Sequence, residues 1–242
     1  MKISQLILFA STLLSCSTTN NGSTSFEPRL VNEDDYLVDF TKGEKGNFYA
    51  ANGYKNPEPF NCTWSNKAVK VEDGSLNLSI FKENERIYGA EYRSMANNFH
   101  YGYYATKMKA ANCSGVISSF FTYANNPTWD EIDIEFLGKD MTIVQFNYYT
   151  DGVGGHEYLY HLGFDASLDF HEYGFEWLQD SITWYVDGKM VHRATENIPS
   201  HPQSLMMNLW NCAGKNNWCG AFDESKLPIQ SAYQFISYKP AE

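Results

Sequence analysis

Apolar and polar residues alternate with a period of two through most of the chain after about residue 25. Successive side chains of a β-strand point to opposite faces, so this period is typical of strands with one buried face. No stretch has the longer period of an extended helix. The alternation predicts strands over residues 75–81, 103–110, 115–123, 132–138, 142–150, 171–178, 181–194 and 204–211.

Turn residues separate these predicted strands at short distances. Asp187-Gly188 divides one segment into ITWYV and KMVHRA, which is a strong β-hairpin signal, and Asp73-Gly74 precedes SLNLS in the same way. Strands at this spacing favour an antiparallel β-sandwich or barrel. Because there is no internal repeat and no linker, residues 26–242 are predicted to form one all-β domain.

Composition and charge narrow the class of protein. The 242 residues are 43% hydrophobic and 16% aromatic, which is enough to form a core and argues against disorder. The aromatic excess suits strands and also flat ligands such as sugar rings. The net charge is −11 and no basic run is present, so a nucleic-acid partner is not expected.

The N-terminus has the pattern of an export signal. Lys2 is followed by a mostly apolar run over residues 6–14, which is too short for a membrane-spanning helix. Residues 1–15 are therefore predicted to be a signal peptide. The sequence LLSC resembles a bacterial lipoprotein box in which Cys16 is lipidated, and ordinary signal cleavage nearby is the alternative. Residues 16–25 are rich in Ser, Thr and Asn and are predicted to be a flexible tether, so we expect a secreted protein or a cell-surface lipoprotein that touches the membrane only through its lipid.

Four cysteines follow Cys16, and an exported protein can form disulfides from them. The spacing of Cys62, Cys113, Cys212 and Cys219 matches no zinc-site pattern. Cys212 and Cys219 lie in one loop-like stretch, NCAGKNNWCG, and can bridge locally. Free thiols are the alternative.

The stretch WDEIDIEFLG carries three acids on one predicted strand. Glu131, Asp133 and Glu135 share one face, and Ile132 and Ile134 point the other way. A solvated face does not explain the tryptophan before these acids or the apolar residues directly after them. Calcium prefers oxygens that converge from a loop with a turn-forming glycine, whereas a regular strand splays its side chains.

Two close carboxyl groups are the requirement for glycoside hydrolysis. They lie about 5–5.5 Å apart in retaining enzymes and about 6.5–9.5 Å apart in inverting ones. Glu131 and Glu135 can lean together across a curved strand. Asp133 is too short to be the second catalytic group, but it can form a hydrogen bond with one glutamate and adjust the proton affinity of both.

WDEIDIEFLG resembles the catalytic strand of glycoside hydrolase family 16, in its bacterial lichenase branch. The resemblance implies a β-jelly roll (concanavalin A-like), with Glu131 as nucleophile, Asp133 as assistant and Glu135 as acid/base. The laminarinase and agarase branches usually carry an extra residue, E-x-D-x-x-E, which this chain lacks. The motifs that carry the resemblance are FNCTW, EYRS, SSFFTY, EIDIEFLGKD, VQFNYYTDGVGGHE, LGFDAS, WYVDG, NIPS and MMNLWN.

The resemblance also implies a set of sugar-binding residues around the acids. Their aromatic members would stack on pyranose rings and their polar members would bind hydroxyl groups. Gln145 is expected near the acids, whereas His156 is expected to be peripheral and Trp177 and Trp184 to belong to the core or the strand surface. The implied binding residues are Asn56, Glu91, Arg93, Phe121, Tyr123, Trp129, Asn147, Tyr149, Asn208, Trp210 and Trp218.

Two departures from the family pattern carry expectations. Lichenases often bridge the cysteine of FNCTW to a second cysteine just before EYRS, but Gly89 stands there, so Cys62 is predicted to have no such bridge. The resemblance also implies a structural calcium bound by carbonyl groups of Pro28 and Gly74 and by an acid near the C-terminus. That acid position is Gln234, and a neutral oxygen weakens a site for a hard cation.

The expected activity is a retaining endo-hydrolysis of β-1,4 linkages adjacent to β-1,3 linkages in mixed-linkage β-glucans. No cofactor is expected in the chemistry, and the chain is expected to be a monomer. The alternatives are a β-1,3-glucanase or a xyloglucan-type transglycosylase on the same fold, and a non-catalytic glucan-binding surface protein.

Overall fold

A computed structural model describes residues 36–242 of the chain. The predicted signal peptide (residues 1–15), the tether (residues 16–25), Cys16 and Pro28 lie outside the described residues. The predictions made for them stay predictions.

The described part of the chain is built from short strands, as the alternation predicts. All eight predicted segments are strands, and the segment around Asp187-Gly188 is a hairpin in which both residues have positive φ (47° and 72°). The strands are β1 (Tyr36–Asp39), β2 (Phe48–Ala50), β3 (Thr63–Trp64), β4 (Val69–Glu72), β5 (Ser75–Glu83), β6 (Arg86–Ser94), β7 (Gly102–Lys109), β8 (Val116–Ala124), β9 (Asp130–Leu137), β10 (Ile143–Tyr149), β11 (Tyr158–His161), β12 (His171–Trp177), β13 (Ile182–Val186), β14 (Lys189–Ala194), β15 (Ser204–Asn211) and β16 (Ile229–Pro240).

Helical structure is confined to single turns within residues 36–242. The α-helix α1 spans Asn216–Cys219, and 3-10 turns span Phe40–Lys42, Asn66–Ala68 and Glu224–Lys226. None of these helices has the length and apolar character needed to cross a membrane.

The strands form two antiparallel layers. The front sheet has the order β11-β10-β9-β8-β15-β6, with β2 on the outer edge of β6. The back sheet runs β4-β5-β16-β7-β12-β13-β14, and β1 pairs with the second half of β16. The layers are joined where β5 also pairs with β6. The prediction of an all-β antiparallel sandwich of jelly-roll type is confirmed.

Several strands were not predicted, and β16 shows why. It is the longest strand, yet its pairing with β7 shifts register between Tyr233 and Phe235, so that Gln234 forms a bulge. A bulge adds one residue and breaks the period of two. The other strands that were missed, such as β2, β3 and β11, are only two to four residues long and carry little periodic signal.

The main core lies between the two sheets. Ile132, Ile134 and Phe136 of β9 are fully buried there, which confirms that the apolar side of the acidic strand faces the core. The indole N–H of Trp184, on β13 of the back sheet, donates to the backbone carbonyl of Asp133 at 3.2 Å. Trp177 is also a fully buried core residue. The back sheet thus holds β9 from behind.

A second, smaller apolar cluster covers one end of the outer face of the front sheet. Ile117 of β8 and Leu137 of β9 belong to it, together with Trp210, whose ring stacks on Phe60 with centroids 4.0 Å apart. Because Ile117 and Leu137 alternate with Ser119 and Glu135, they lie on the same face as the acids. The cluster therefore closes one end of that face.

The cysteine expectations are met within the described residues. Cys212 and Cys219 form a disulfide, whereas Cys62 and Cys113 are buried free thiols. A Cβ atom placed on Gly89 would lie 2.5 Å from Sγ of Cys62, so the two positions are adjacent even though no bridge joins them.

Loss of the disulfide should lower stability. The bridge joins two cysteines that are seven positions apart in the sequence. The variant C212S/C219S should unfold with a free energy lower by about 2–3 kcal/mol, because the denatured chain gains loop entropy. Denaturant unfolding of both proteins measures this difference. Wild type with the bridge reduced should show the same loss, and an equal midpoint for wild type and C212S/C219S would contradict the expectation.

Candidate active site

Strand pairing arranges the front face in rows that run across the strands. Glu135 is directly opposite Ser119 on β8 and Gln145 on β10, and Ser119 is opposite Asn208, which is opposite Glu91. These five polar residues make one continuous row over β10, β9, β8, β15 and β6. The carboxyl group of Glu135 therefore lies among polar side chains.

The next two rows contain the other predicted residues. Asp133 lies between Asn147 and Phe121, and the row continues through Met206 to Arg93. In the third row, Glu131 lies between Tyr149 and Tyr123. The pairing of β9 is regular on both sides over the three acids, so no bulge interrupts the row of carboxyl groups.

Glu131 accepts hydrogen bonds from two neighbours. The indole N–H of Trp129 donates to Glu131 Oε2 at 2.7 Å, and the carboxyl of Asp133 forms a side-chain hydrogen bond with it. Burial raises the pKa of Glu131 above its ordinary value, as does the charge of Glu135, and both hydrogen bonds act in the opposite direction. The two donors favour the ionised form of this group.

The surroundings of Asp133 favour the protonated form of its carboxyl group. Burial raises its pKa well above the ordinary value, and so do the charges of Glu131 and Glu135 and the hydrogen bond to Glu131. A protonated Asp133 can donate to Glu131. It removes one of three negative charges from the row and supplies a donor at the same time.

Glu135 is half-buried and has a different neighbour. Burial raises its pKa, the side-chain amide of Gln145 donates to Glu135 Oε2 at 2.7 Å and lowers it, and the charge of Glu157 raises it. The predicted proximity of Gln145 to the acids is confirmed. A carboxyl group with a raised pKa can hold a proton near neutral pH, as a general acid must.

Aromatic residues border the acids on both sides. Trp129 is 40% exposed and stacks on Tyr149 with centroids 4.2 Å apart and planes 14° apart. At the other end, Trp218 lies 6.1 Å from the buried Trp210. The exposed indole and the half-buried Tyr149 and Trp218 offer faces on which sugar rings can stack.

The far side of the face carries polar groups held by their neighbours. The guanidinium of Arg93 lies over the Tyr123 ring at 5.9 Å and its Nε donates to Met206 Sδ at 3.2 Å. Ser119 donates a short hydrogen bond to Asn208, and Oδ1 of buried Asn147 has no protein donor. An acceptor that is buried without a partner is ready for a hydroxyl group of a ligand.

Some predicted residues lie apart from the rows, and some lining residues were missed. Asn56 lies half-buried in the loop between β2 and β3, and its role stays a prediction. Tyr54, in the same loop, is 44% exposed and donates to Glu91 at 3.3 Å. It has no periodic context in the sequence, so only the fold identifies it. Ser119 could have been found from the alternation in SSFFTY.

His156 lies outside the rows of acids, as expected. Its ring stacks on Tyr148 with centroids 3.9 Å apart and shares a hydrogen bond with the Tyr148 carbonyl at 2.9 Å. Both contacts are structural.

Two of the three positions of the implied calcium site lie among the described residues. Gly74 is in the β4–β5 turn with a positive φ of 73°, and Gln234 is the neutral bulge residue of β16. Within residues 36–242, the one group of three acids and histidines close enough to share an ion is Asp130, Asp151 and His201, elsewhere in the molecule. Because Pro28 lies outside the described residues, the calcium site at Gly74 stays a prediction, and the melting temperature with and without calcium tests it.

Asp130 joins the start of β9 to two loops. Its fully buried carboxylate accepts backbone N–H groups of Asp151 at 2.9 Å and of Ser200 and His201 at 3.1 Å, and it contacts the His201 ring at 3.0 Å. These donors surround the carboxylate, so we interpret it as a structural anchor and not as an ion ligand. It fixes the segment that carries Trp129.

Asp130→Asn should destabilise the protein in a pH-dependent way. Burial raises the pKa of Asp130, but hydrogen bonds from Asp151, His201 and Ser200 outweigh it and lower the pKa overall. A lowered pKa means that the carboxylate contributes stability above its unfolded-state pKa and loses it as pH falls. The variant should lose about 1–3 kcal/mol at pH 7, because an amide N–H₂ then faces donors.

Denaturant unfolding at pH 7 and at pH 3 measures this effect. The gap between wild type and variant should narrow at pH 3, and Asp151→Asn, which leaves the Asp151 backbone N–H in place, is the matched control. A gap that is equal at both pH values would contradict the assignment.

An aromatic-lined face with a row of buried and half-buried carboxyl groups on a β-sandwich is typical of polysaccharide-cleaving hydrolases of the jelly-roll class. The comparison with known families makes this specific. Residues 56–227 match the model of the glycosyl hydrolases family 16, and the chain belongs to this family.

Relatives in this family are similar over most of the chain. A beta-glucanase of Paenibacillus polymyxa is 51% identical over 193 residues, covering 78% of this chain and 80% of that protein. The solved structure of Bacillus licheniformis beta-glucanase has a TM-score of 0.82 and 43% identity, covering 86% of this chain and 98% of that one. A prokaryotic beta-1,3-1,4-glucanase (lichenase) derived from a mouse hindgut metagenome has a TM-score of 0.80 and 44% identity, covering 86% and 99%.

Proposed function

We propose that this chain is a retaining endo-1,3-1,4-β-glucanase that hydrolyses β-1,4 linkages adjacent to β-1,3 linkages in mixed-linkage β-glucans such as lichenan. The observation that carries the proposal is the unbulged pairing of β9, which presents Glu131, Asp133 and Glu135 in three successive rows of an aromatic-lined face. The sequence identity that this chain shares with proteins named as glucanases supports a β-glucan as the substrate.

The chemistry assigns each acid a role. Glu135 donates its proton to the glycosidic oxygen while Glu131 attacks the anomeric carbon, so the bond to the leaving sugar breaks as the ester to Glu131 forms. Water then attacks the same carbon, Glu135 accepts the proton of the water, and Glu131 leaves as carboxylate. The carboxyl groups of the chain suffice, and no cofactor takes part.

The hydrogen bonds at Glu131 support this division of roles. The hydrogen bonds from Trp129 and Asp133 favour ionised Glu131, as a nucleophile requires. When Glu131 becomes an ester it loses its charge, which removes one source of repulsion in the row. Glu135 can then ionise more easily, which suits its second role as base.

The remaining lining residues are proposed to bind the polysaccharide. Trp129 and Tyr149 supply a stacking surface beside Glu131, and Glu91, Arg93 and Asn208 supply polar contacts on the far side. A non-catalytic binder would need the aromatic residues. It would not need three neighbouring acids, whose negative charges repel one another. The regular β9 argues against a β-1,3-glucanase, since the bulged motif is absent.

Glu131→Gln tests the nucleophile. Hydrolysis of lichenan should fall by about 10³-fold or more, because no ester can form. Reducing-end release measures the rate, and NMR of fresh wild-type products should show retained anomeric configuration and cleavage next to β-1,3 bonds. His156→Gln, outside the rows of acids, is the control. Near-normal hydrolysis by Glu131→Gln would contradict the assignment, and activity on laminarin or xyloglucan alone would favour the alternatives.

We propose further that the chain is exported as a monomer and attached through a lipid on Cys16. The pattern of residues 1–16 supports this proposal. Cys16→Ala should move the protein from the membrane fraction to the soluble one and abolish labelling by radioactive palmitate. Equal fractionation of both proteins would argue for ordinary signal cleavage instead.

A further inference from the structure

Two consecutive hydrogen bonds connect the half-buried Trp218 to Glu135 through Gln145. The indole N–H of Trp218 donates to Gln145 Oε1 at 3.0 Å, and Gln145 Nε2 donates to Glu135 Oε2 at 2.7 Å. Gln145 is 3% exposed, so water cannot readily replace either partner. Trp218 thus reaches the carboxyl group through one amide.

The chemistry of the three groups fixes the direction of these two hydrogen bonds. An indole nitrogen is a donor only, whereas a side-chain amide has one accepting oxygen and one donating nitrogen. The Gln145 oxygen must therefore face Trp218, and its nitrogen must face Glu135. If the indole N–H were absent, the amide could turn over and direct its oxygen at Glu135, which favours the protonated acid.

Trp218 is held in place by its loop. Its own N–H donates to the Lys215 carbonyl at 2.8 Å, and the adjacent Cys219 is bridged to Cys212. Gly115 contacts both cysteines, donating to the Cys219 carbonyl at 2.9 Å and accepting from Cys212 N–H at 2.8 Å. The indole is therefore presented to Gln145 by a cross-linked loop.

We propose that Trp218 is a positioning residue for Glu135, because its indole N–H orients the Gln145 amide so that the amide nitrogen donates to the catalytic carboxyl. This inference rests on the acid/base role of Glu135 in the proposed function. It gives Trp218 a role beyond a stacking surface.

Other charged groups near Glu135 stay in place when Trp218 is changed. Glu131 and Asp133 lie on the same strand, and Glu157 precedes β11. The charge of Glu135 also raises the pKa of Tyr149 on β10, and Ser119 on β8 is neutral. A change in the titration of Glu135 in the variant below therefore reports the orientation of Gln145.

The test compares the pH dependence of kcat/KM on lichenan for wild type and Trp218→Phe. Phenylalanine keeps an aromatic ring and removes the N–H. The alkaline limb of this pH profile reports the loss of the proton from Glu135. In Trp218→Phe it should move to higher pH by about half to one unit. Trp210→Phe removes a neighbouring indole N–H that does not bond to Gln145, so the limb should stay in place even if KM changes.

A double-mutant cycle separates this role from a packing effect. Gln145→Leu removes the amide donor and should move the limb in the same direction, to higher pH. The double variant should match Gln145→Leu alone, because Trp218 acts only through Gln145. Additive shifts, or a Trp218→Phe limb that coincides with wild type, would overturn the proposal.

A second measurement does not depend on catalysis. The ¹³C carboxyl signal of Glu135, assigned by its absence in Glu135→Gln, can be titrated by NMR without substrate. Trp218→Phe should raise the pKa measured in this way, and an unchanged pKa would refute the positioning role. If wild type failed to hydrolyse lichenan while this pKa still rose, the proposed substrate would be wrong and the positioning role would stand.

Discussion

The regular pairing of β9 between β8 and β10 is the constraint on which the site depends. Because side chains alternate across the sheet, Glu131, Asp133 and Glu135 share one face of β9, and Ile132, Ile134 and Phe136 share the other. Ile132 and Ile134 are buried behind the acids, and Trp184 donates to the Asp133 carbonyl from the opposite sheet. A slip by one residue would place three carboxyl groups in the core, so the energetics of packing fix the register and hence the position of each acid.

The burial that fixes the position of the strand also changes the proton affinities of its three acids. All three carboxyl groups have raised pKa values, with burial as the largest cause, yet their hydrogen-bond partners differ. Glu131 receives an indole N–H, Asp133 bonds to Glu131, and Glu135 receives an amide. Three chemically similar groups thereby have different surroundings, which come from β9 itself, from β10 and from the loop that carries Trp129.

Periodicity predicted the long front strands and the common face of the acids, because those features are local. It did not predict β16, where a bulge at Gln234 breaks the alternation. The contact between Trp218 and Gln145 joins residues 73 positions apart, and Asp130 is completed by loop residues 151, 200 and 201. Such contacts depend on how loops meet in space. The resemblance to glycoside hydrolase family 16 predicted most of the lining residues, but it did not predict the hydrogen bond from Trp218 to Gln145.

The distribution of the four described cysteines bears on how the chain reaches its oxidised state. Four thiols allow three fully paired arrangements. The native one uses only Cys212 and Cys219, seven positions apart, and closing so short a loop costs little chain entropy. Cys62 and Cys113 are enclosed by the cluster around Trp64 and by the main core, respectively. In the folded protein, both free thiols are therefore buried away from solvent, which protects them from exchange with the bridge and from external oxidants.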